Sequence, residues 1–250
     1  MNLGHLNAEV EWELASEVQA GLFPRKKPKL DTLNYAGLTL PAGPLGGDYF
    51  DFLDLGRGYL GLAVGDIAGK GIASALLMAS LQAILRSQCL LALDDIGSLL
   101  RSVNRVFCED TPDASYATLF FAEYWDREQR LRYVNCGHPP ALVLRSSGAI
   151  ERLEPSATVL GIWEEWDCTI EEVRLAANDT FILFTDGVTE ARDDHDEEFG
   201  EERLADLARA GRGLPVSDLS HFILEGVRNF AGPRPQHDDI TVVSARCRGK

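Results

Sequence analysis

Basic charge is what this sequence is shortest of: 24 lysines and arginines face 39 aspartates and glutamates, a formal net charge of −15 over 250 residues. A surface that grips nucleic acid or anionic lipid needs a basic face, so the balance argues against both. No stretch approaches 18 uninterrupted apolar residues, and no membrane span is indicated. The opening MNLGHLNAEVEWE has no basic segment followed by an apolar one, so export is not expected and the cytoplasm is the default. Cysteines are few and scattered. The five, Cys89, Cys108, Cys136, Cys168 and Cys247, form no CxxC pair, which fits buried thiols in a reducing compartment. With no His/Cys cluster at ligand spacing, zinc is disfavoured.

Several catalytic signatures are missing too. The phosphate-loop pattern GxxxxGK[ST] fails because Val64 stands five residues before Gly69 and Gly71 follows Lys70. GxGxxG fails at Ser74, which disfavours an ATP-binding kinase-like domain. Ser115, His138 and several aspartates can be combined into a triad on paper, but no GxSxG elbow is present.

What is present is a layered pattern of strands and helices, with 45% hydrophobic residues, enough for one large core. Residues 8–23 carry Val10, Leu14, Val18 and Leu22 at helical spacing, and Pro24 stops the run. With the basic Arg25, Lys26, Lys27 and Lys29, residues 1–30 form an amphipathic linker or regulatory helix, followed by a catalytic domain over 31–250. The helix is a dimer surface, a lever from an upstream sensor, or packing for its own domain. Strands are expected at 49–55 and 59–66, then a helix over 72–87 whose apolar residues surround most of it, implying burial between layers. A helix over 95–108 follows, then strands at 116–125 and 130–136, joined too tightly for anything but an antiparallel pair. Further strands near 141–145, 149–153, 168–175 and 180–187, helices near 200–210 and 217–230, and a last strand at 240–246 complete an α+β pattern. Two facing, mainly antiparallel sheets with helices outside satisfy it best.

The chemistry lies in the aspartates. Asp48 in GGDYFD, Asp66 in VGDIAGKG, Asp186 in FTDGVTE and the pair Asp238 and Asp239 in HDDITVV each stand at the edge of an apolar run beside a turn. Carboxylates are costly inside a protein unless positive charge meets them. Each can be an ordinary turn residue. Together they suggest an all-oxygen site for Mg²⁺ or Mn²⁺, with the Ile67 backbone carbonyl as a further hard ligand. Alternation sends Asp51 to the face opposite Asp48, and splits Asp238 from Asp239 so that only one, with Asp238 preferred, faces the site. His138 in NCGHPP donates a proton or merely bonds the backbone, and Lys70 contacts phosphate or is a solvated turn lysine. The acidic DDHDEE over 193–198 reads as a solvated loop.

The segments LASEVQAGLFP, PAGPLGGDYFDF, GLAVGDIAGKGIASALLMA, YVNCGHPPALVLR, ILFTDGVTEARD, FGEERL and HDDITVV, in this order over 14–243, resemble the metal-dependent serine/threonine protein phosphatases (the PPM family). They are most similar to the bacterial branch that controls stress-response and sporulation sigma factors. The resemblance implies a four-layer α-β-β-α sandwich with two Mn²⁺ or Mg²⁺ ions between the sheets. It implies that Asp66 bridges the ions, that the Ile67 carbonyl, Asp186 and the acids at 238–239 complete the site, and that Asp48 is its front acidic residue. The implied substrate is a phosphoserine or phosphothreonine protein, such as an anti-sigma-factor antagonist, and the implied partners are an upstream sensor or regulatory protein. Ala68 stands where many relatives have a small hydroxyl or acidic residue. Before GGDYFD there is no clear counterpart of the arginine that grips phosphate near the front acidic motif in eukaryotic-type members. A non-catalytic signalling or scaffold domain that keeps the fold is the rival reading, against which the intact aspartate set argues.

Overall fold

The computed structural model describes residues 3–91, 95–112 and 115–249, so the first two residues of the expected front piece lie outside the described residues. The chain begins with helix α1 (Leu3–Ala20), which ends at Gly21, before Pro24 can stop it. Strands β1 (Leu33–Leu40), β2 (Asp48–Asp54) and β3 (Tyr59–Ile67) lead into helices α2 (Ile72–Leu91) and α3 (Ile96–Asp110). Asp95 caps α3 by accepting from the amides of Gly97 and Ser98, the bonding an N-cap carboxylate provides to unpaired first-turn donors. There follow β4 (Ala117–Trp125), β5 (Arg130–Cys136), β6 (Ala141–Leu144), β7 (Ile150–Leu153), β8 (Glu171–Arg174) and β9 (Thr180–Phe184). The short helix α4 (Asp186–Thr189), then α5 (Gly200–Ala210), α6 (Val216–Ala231) and β10 (Ile240–Cys247) complete the order.

All strand pairs are antiparallel. One sheet runs β1-β10-β9-β6-β7 and the other β2-β3-β4-β5-β8. Their facing sides enclose a core that includes Phe50, Leu62, Val64, Phe120, Phe181 and Val243. A second apolar layer, with Met78, Leu81, Leu85, Leu100, Val103 and Phe107, seals α2 and α3 onto the second sheet. A third, with Leu204, Leu219, Ile223 and Val227, seals α5 and α6 onto the first. The result is the expected four-layer α-β-β-α sandwich, an α+β fold.

Two local expectations change. Helix α2 is not enclosed between layers: it lies outside the second sheet and exposes Ile72, Leu76 and Leu90. By length and composition it is the one described helix apolar enough to cross a membrane, and its inner face is buried in the layer just described. The 180–187 segment is shorter as a strand, because Thr185 turns the chain into α4.

Helix α1 touches the sandwich chiefly through its C-terminal end. Val10, Leu14 and Val18 are exposed, at 52%, 56% and 69%, whereas the polar Gln19 is buried. Leu22 packs on the α2–α3 layer, and Phe23 stacks on Phe50 with ring centroids 5.3 Å apart.

Asp51 does face away from Asp48. Fully buried under α2, it receives Arg86 Nε at 2.6 Å and Nη2 at 3.0 Å, the Tyr49 hydroxyl at 2.8 Å and the Phe52 amide at 2.8 Å. This network ties β2 to α2. Truncating it by Asp51→Ala should cost about 1–3 kcal/mol, because the buried Tyr49 hydroxyl loses its acceptor while the half-exposed Arg86 can turn to water. Urea unfolding measures it, with the Asp51→Ala/Arg86→Met pair expected to recover part of the loss; an unmoved midpoint for the single variant would show the network contributes nothing.

Candidate acidic site between the sheets

Antiparallel pairing brings Asp48 and Asp66 directly opposite each other on β2 and β3, with Thr118 of β4 next in register. Like charges opposed in this way repel. Asp48 is almost fully buried, and its Oδ2 accepts from the hydroxyls of Thr185, 2.8 Å, and Thr241, 2.6 Å, both from the other sheet's side. Burial, then the Asp66 charge, pushes the Asp48 pKa well up, and the two hydroxyls pull it back. Thr185 sits at the N-cap of α4 without capping it, because its hydroxyl is spent on Asp48; its oxygen also accepts the Thr241 amide at 3.0 Å.

Asp66 is pushed up to about 7, first by burial and then by Asp186, Asp238 and Asp239. Asp186 is raised by burial, then by Asp238 and Glu190. In both cases Lys70 is the cation that opposes the shift. Its Nζ lies 2.9 Å from Asp238 Oδ2. Asp186 is not at the strand end as expected. It is the first residue of α4, and Gly187 after it lies so close to β10's entry that an added methyl would overlap the Asp239 carbonyl oxygen. That close approach sets Asp186 beside Asp238.

The tail pair divides as alternation requires. Asp239 is a clamp: Oδ1 accepts the Ala42 amide at 2.8 Å, and Oδ2 accepts the Gly47 amide at 2.7 Å, with the Asp48 amide at 3.4 Å. Asp238 leaves its carboxylate towards Lys70 and the other acids. Both oxygens of Asp239 are thus occupied by backbone amides.

The clamp has a consequence for Ile67. Ile67 donates its amide to the Gly47 carbonyl, and the Gly47 amide that strand pairing would set against the Ile67 carbonyl is engaged instead by Asp239. A backbone oxygen is thereby left available beside Asp66, which suits a hard-cation ligand. Among the described residues no three acidic, histidine or cysteine side chains close directly around a common point. The arrangement is a carboxylate-lined cleft of all-oxygen donors with excess negative charge, and it fits Mg²⁺ or Mn²⁺ that keep part of their water shell.

His138 does not reach this cleft's opening. It is buried to 1% exposure, its Nδ1 lies 2.8 Å from Thr118 Oγ1, and its amide donates to Asn135 Oδ1 at 2.8 Å. Burial pushes its pKa down to about 3, against a weaker opposing pull from the Phe184 backbone, and Nε2 has no partner in hydrogen-bonding geometry. Of the two readings, proton donor or structural residue, the structure displays the contacts of the second: a buried ring on Thr118, whose Oγ1 also lies within 3.5 Å of the Asp66 carbonyl.

Sequence reasoning missed three supporting residues. Thr185 carried a signal, a threonine immediately before an acidic helix start. Thr241 carried none, and neither did Gln19, whose Nε2 donates to the Gly46 carbonyl at 2.8 Å while its Oε1 accepts the Gly46 amide at 3.0 Å.

Known proteins resemble this chain in sequence and in fold. RsbU of Bacillus subtilis, named a phosphoserine phosphatase, is 30% identical over 73% of this chain and 54% of its own length. Protein IcfG of Synechocystis is 28% identical over 94% of this chain and 41% of its own length, so the chain spans about half the length of the curated relatives it matches. The SiaA PP2C domain of Pseudomonas aeruginosa superposes with a TM-score of 0.85 at 22% identity, covering 98% of this chain and 99% of that one. The catalytic domain of the serine/threonine phosphatase PstP, solved with two manganese ions, superposes at 0.64 and 18% identity over 87% of this chain and 99% of that one. A family model described as Stage II sporulation protein E (SpoIIE) matches residues 56–248, and the chain belongs to that family.

Proposed function

We propose that this chain is a metal-dependent protein phosphatase acting on phosphoserine or phosphothreonine, with an anti-sigma-factor antagonist or a similar signalling protein as substrate. The observation that carries the reading is the crowding of Asp186, Asp238 and Asp239 around the partly buried Asp66, whose pKa is pushed up to about 7 by burial first and by these neighbouring acids next. Asp66, Asp186, Asp238 and the Ile67 carbonyl would hold two Mn²⁺ or Mg²⁺ ions. When bound, such ions lower the pKa of water and neutralise charge on phosphoryl oxygens. Asp48 stays behind them as the front acidic residue, fixed by Thr185 and Thr241. Asp239 orients the 42–48 turn, and His138 holds Thr118 in place. The names of RsbU and the manganese-bound PstP support the reading, as does the cleft's all-oxygen chemistry.

Residues 1–30 are read as a regulatory helix and 31–250 as the catalytic domain, in a cytoplasmic setting. The uncovered Val10, Leu14 and Val18 support a homodimer or a bound regulatory partner or sensor segment through α1.

Hydrolysis of a phosphoserine protein should vanish in EDTA and return with Mn²⁺; activity that survives exhaustive chelation would remove the mechanism.

Asp66→Asn should lower activity by orders of magnitude while the fold persists. Its effect on stability has a definite sign. A carboxyl raised from 3.8 to about 7 in the fold binds its proton more tightly folded than unfolded. The stabilisation from that proton is complete below about pH 4 and lost as pH rises through about 7. Metal-free protein should therefore melt at progressively lower temperature over that window, and Asp66→Asn should flatten the dependence. Identical profiles would contradict it.

Light scattering of Leu14→Asp and Val18→Asp against the parent tests the helix surface. The parent should be dimeric and the variants monomeric; a parent that is monomeric at high concentration and unable to bind any regulatory segment defeats the proposal.

A further inference from the structure

We propose that Lys70 is a resident counter-cation of the acidic cleft, held on Asp238 until divalent cations displace it, and thereafter the group that grips the substrate's phosphate. The inference rests on the phosphatase reading above and assigns the phosphate contact that the missing front arginine leaves open.

Three features of the structure carry it. The Lys70 ammonium lies 2.9 Å from Asp238 Oδ2 and donates to the His237 carbonyl at 2.7 Å, so it sits at the edge of the cleft. Its field reaches further in, where it opposes the upward shifts of Asp66 and Asp186. It therefore supplies part of the positive charge that the crowded carboxylates require.

The second feature is freedom to move. Lys70 lies between Gly69, φ +105°, and Gly71, φ +82°, and neither has any atom near the place where a Cβ would stand. Both glycines hold left-handed conformations that other residues avoid, in a turn open to solvent. Half of the lysine side chain is exposed. An ammonium on a long, flexible stem with three donors can exchange one anionic partner for another at little cost.

Third, other cations nearby are committed. A groove of about 1130 Å³ opens from Gly187 and Asp238 and is also lined by Arg192, Arg228 and Arg234. Arg192 and Arg234 both bind Asp196, and Arg228 binds Glu225. Lys70 is the cation paired with a carboxylate of the cleft itself.

The physical sequence follows from charge. A divalent cation held by Asp238 carries twice the charge of the ammonium it replaces and repels it. The released Nζ stays tethered at the cleft edge, where a phosphate dianion approaching the site restores its lost partner.

The test is Mn²⁺ titration by calorimetry of the full chain, with parent, Lys70→Met and Lys70→Arg. An exposed ion pair competes weakly, so Lys70→Met should bind Mn²⁺ about two- to fivefold tighter than the parent at low salt, and the gain should shrink in high salt. Lys70→Arg should resemble the parent. Inorganic phosphate, used as inhibitor of aryl phosphate hydrolysis, should bind Lys70→Met about tenfold more weakly once Mn²⁺ saturates. Equal Mn²⁺ affinity in all three proteins overturns the counter-cation role, and unchanged phosphate inhibition overturns the grip. A parent that binds no Mn²⁺ removes the phosphatase reading and this inference together, an outcome distinct from either.

Discussion

Asp48 and Asp66 are held across from each other by strand register, two carboxylates that no nearby arginine neutralises, and the arrangement around them answers that repulsion. Thr185 and Thr241 reach from the far sheet to hydrogen-bond Asp48, so the same contact that tames the charge also pins the two sheets at this end. Charge-bearing oxygen buried in this way survives only with such donors. Asp239 is relieved differently, by backbone amides of the 42–48 turn. Asp66 and Asp186 face the cleft with burial and neighbouring acids pushing their pKa values up, while Asp238 beside them pairs with Lys70. Uncompensated charge is here a property of position.

Local packing enforces this geometry at close quarters. A methyl added at Gly187 would overlap the Asp239 carbonyl oxygen and one at Gly46 the Asp239 carboxylate, while at Gly47 it would press tightly on the Ile67 carbonyl and Ser74. The glycines bring three chain segments, distant in sequence, within reach of one cleft. Asp51, only three residues from Asp48, belongs to another system altogether. It points to α2 and pairs with Arg86, so a single strand serves the site with one face and anchors the outer helices with the other.

Helix α1 connects to the site through one polar side chain. Gln19 holds both backbone groups of Gly46, and the neighbouring Gly47 amide holds Asp239. The apolar residues that the helix exposes are those its own sandwich does not cover, which is why the sequence pattern alone could not say what they pack against.

The sequence by itself determined most of the fold and the identity of the acids. Alternating strands, a short 125–130 connection and amphipathic helices at 200–210 and 217–230 led to two antiparallel sheets with helices outside, because periodicity is a local property. The aspartates were legible because a carboxylate at the edge of an apolar run beside glycine is costly without a purpose. Tertiary structure alone decided how those acids divide the work. Asp239 became a clamp because amides from 42–48 converge on it, and Asp238 stayed open because Lys70 of a different turn meets it. His138 lies buried with Nδ1 on Thr118, where the stiff NCGHPP loop had left open a proton donor or a structural partner. Thr241 and Gln19 acquired their roles from partners more than 25 residues away. Such roles depend on which donors and acceptors the folded chain brings within hydrogen-bond distance, and no local pattern encodes that.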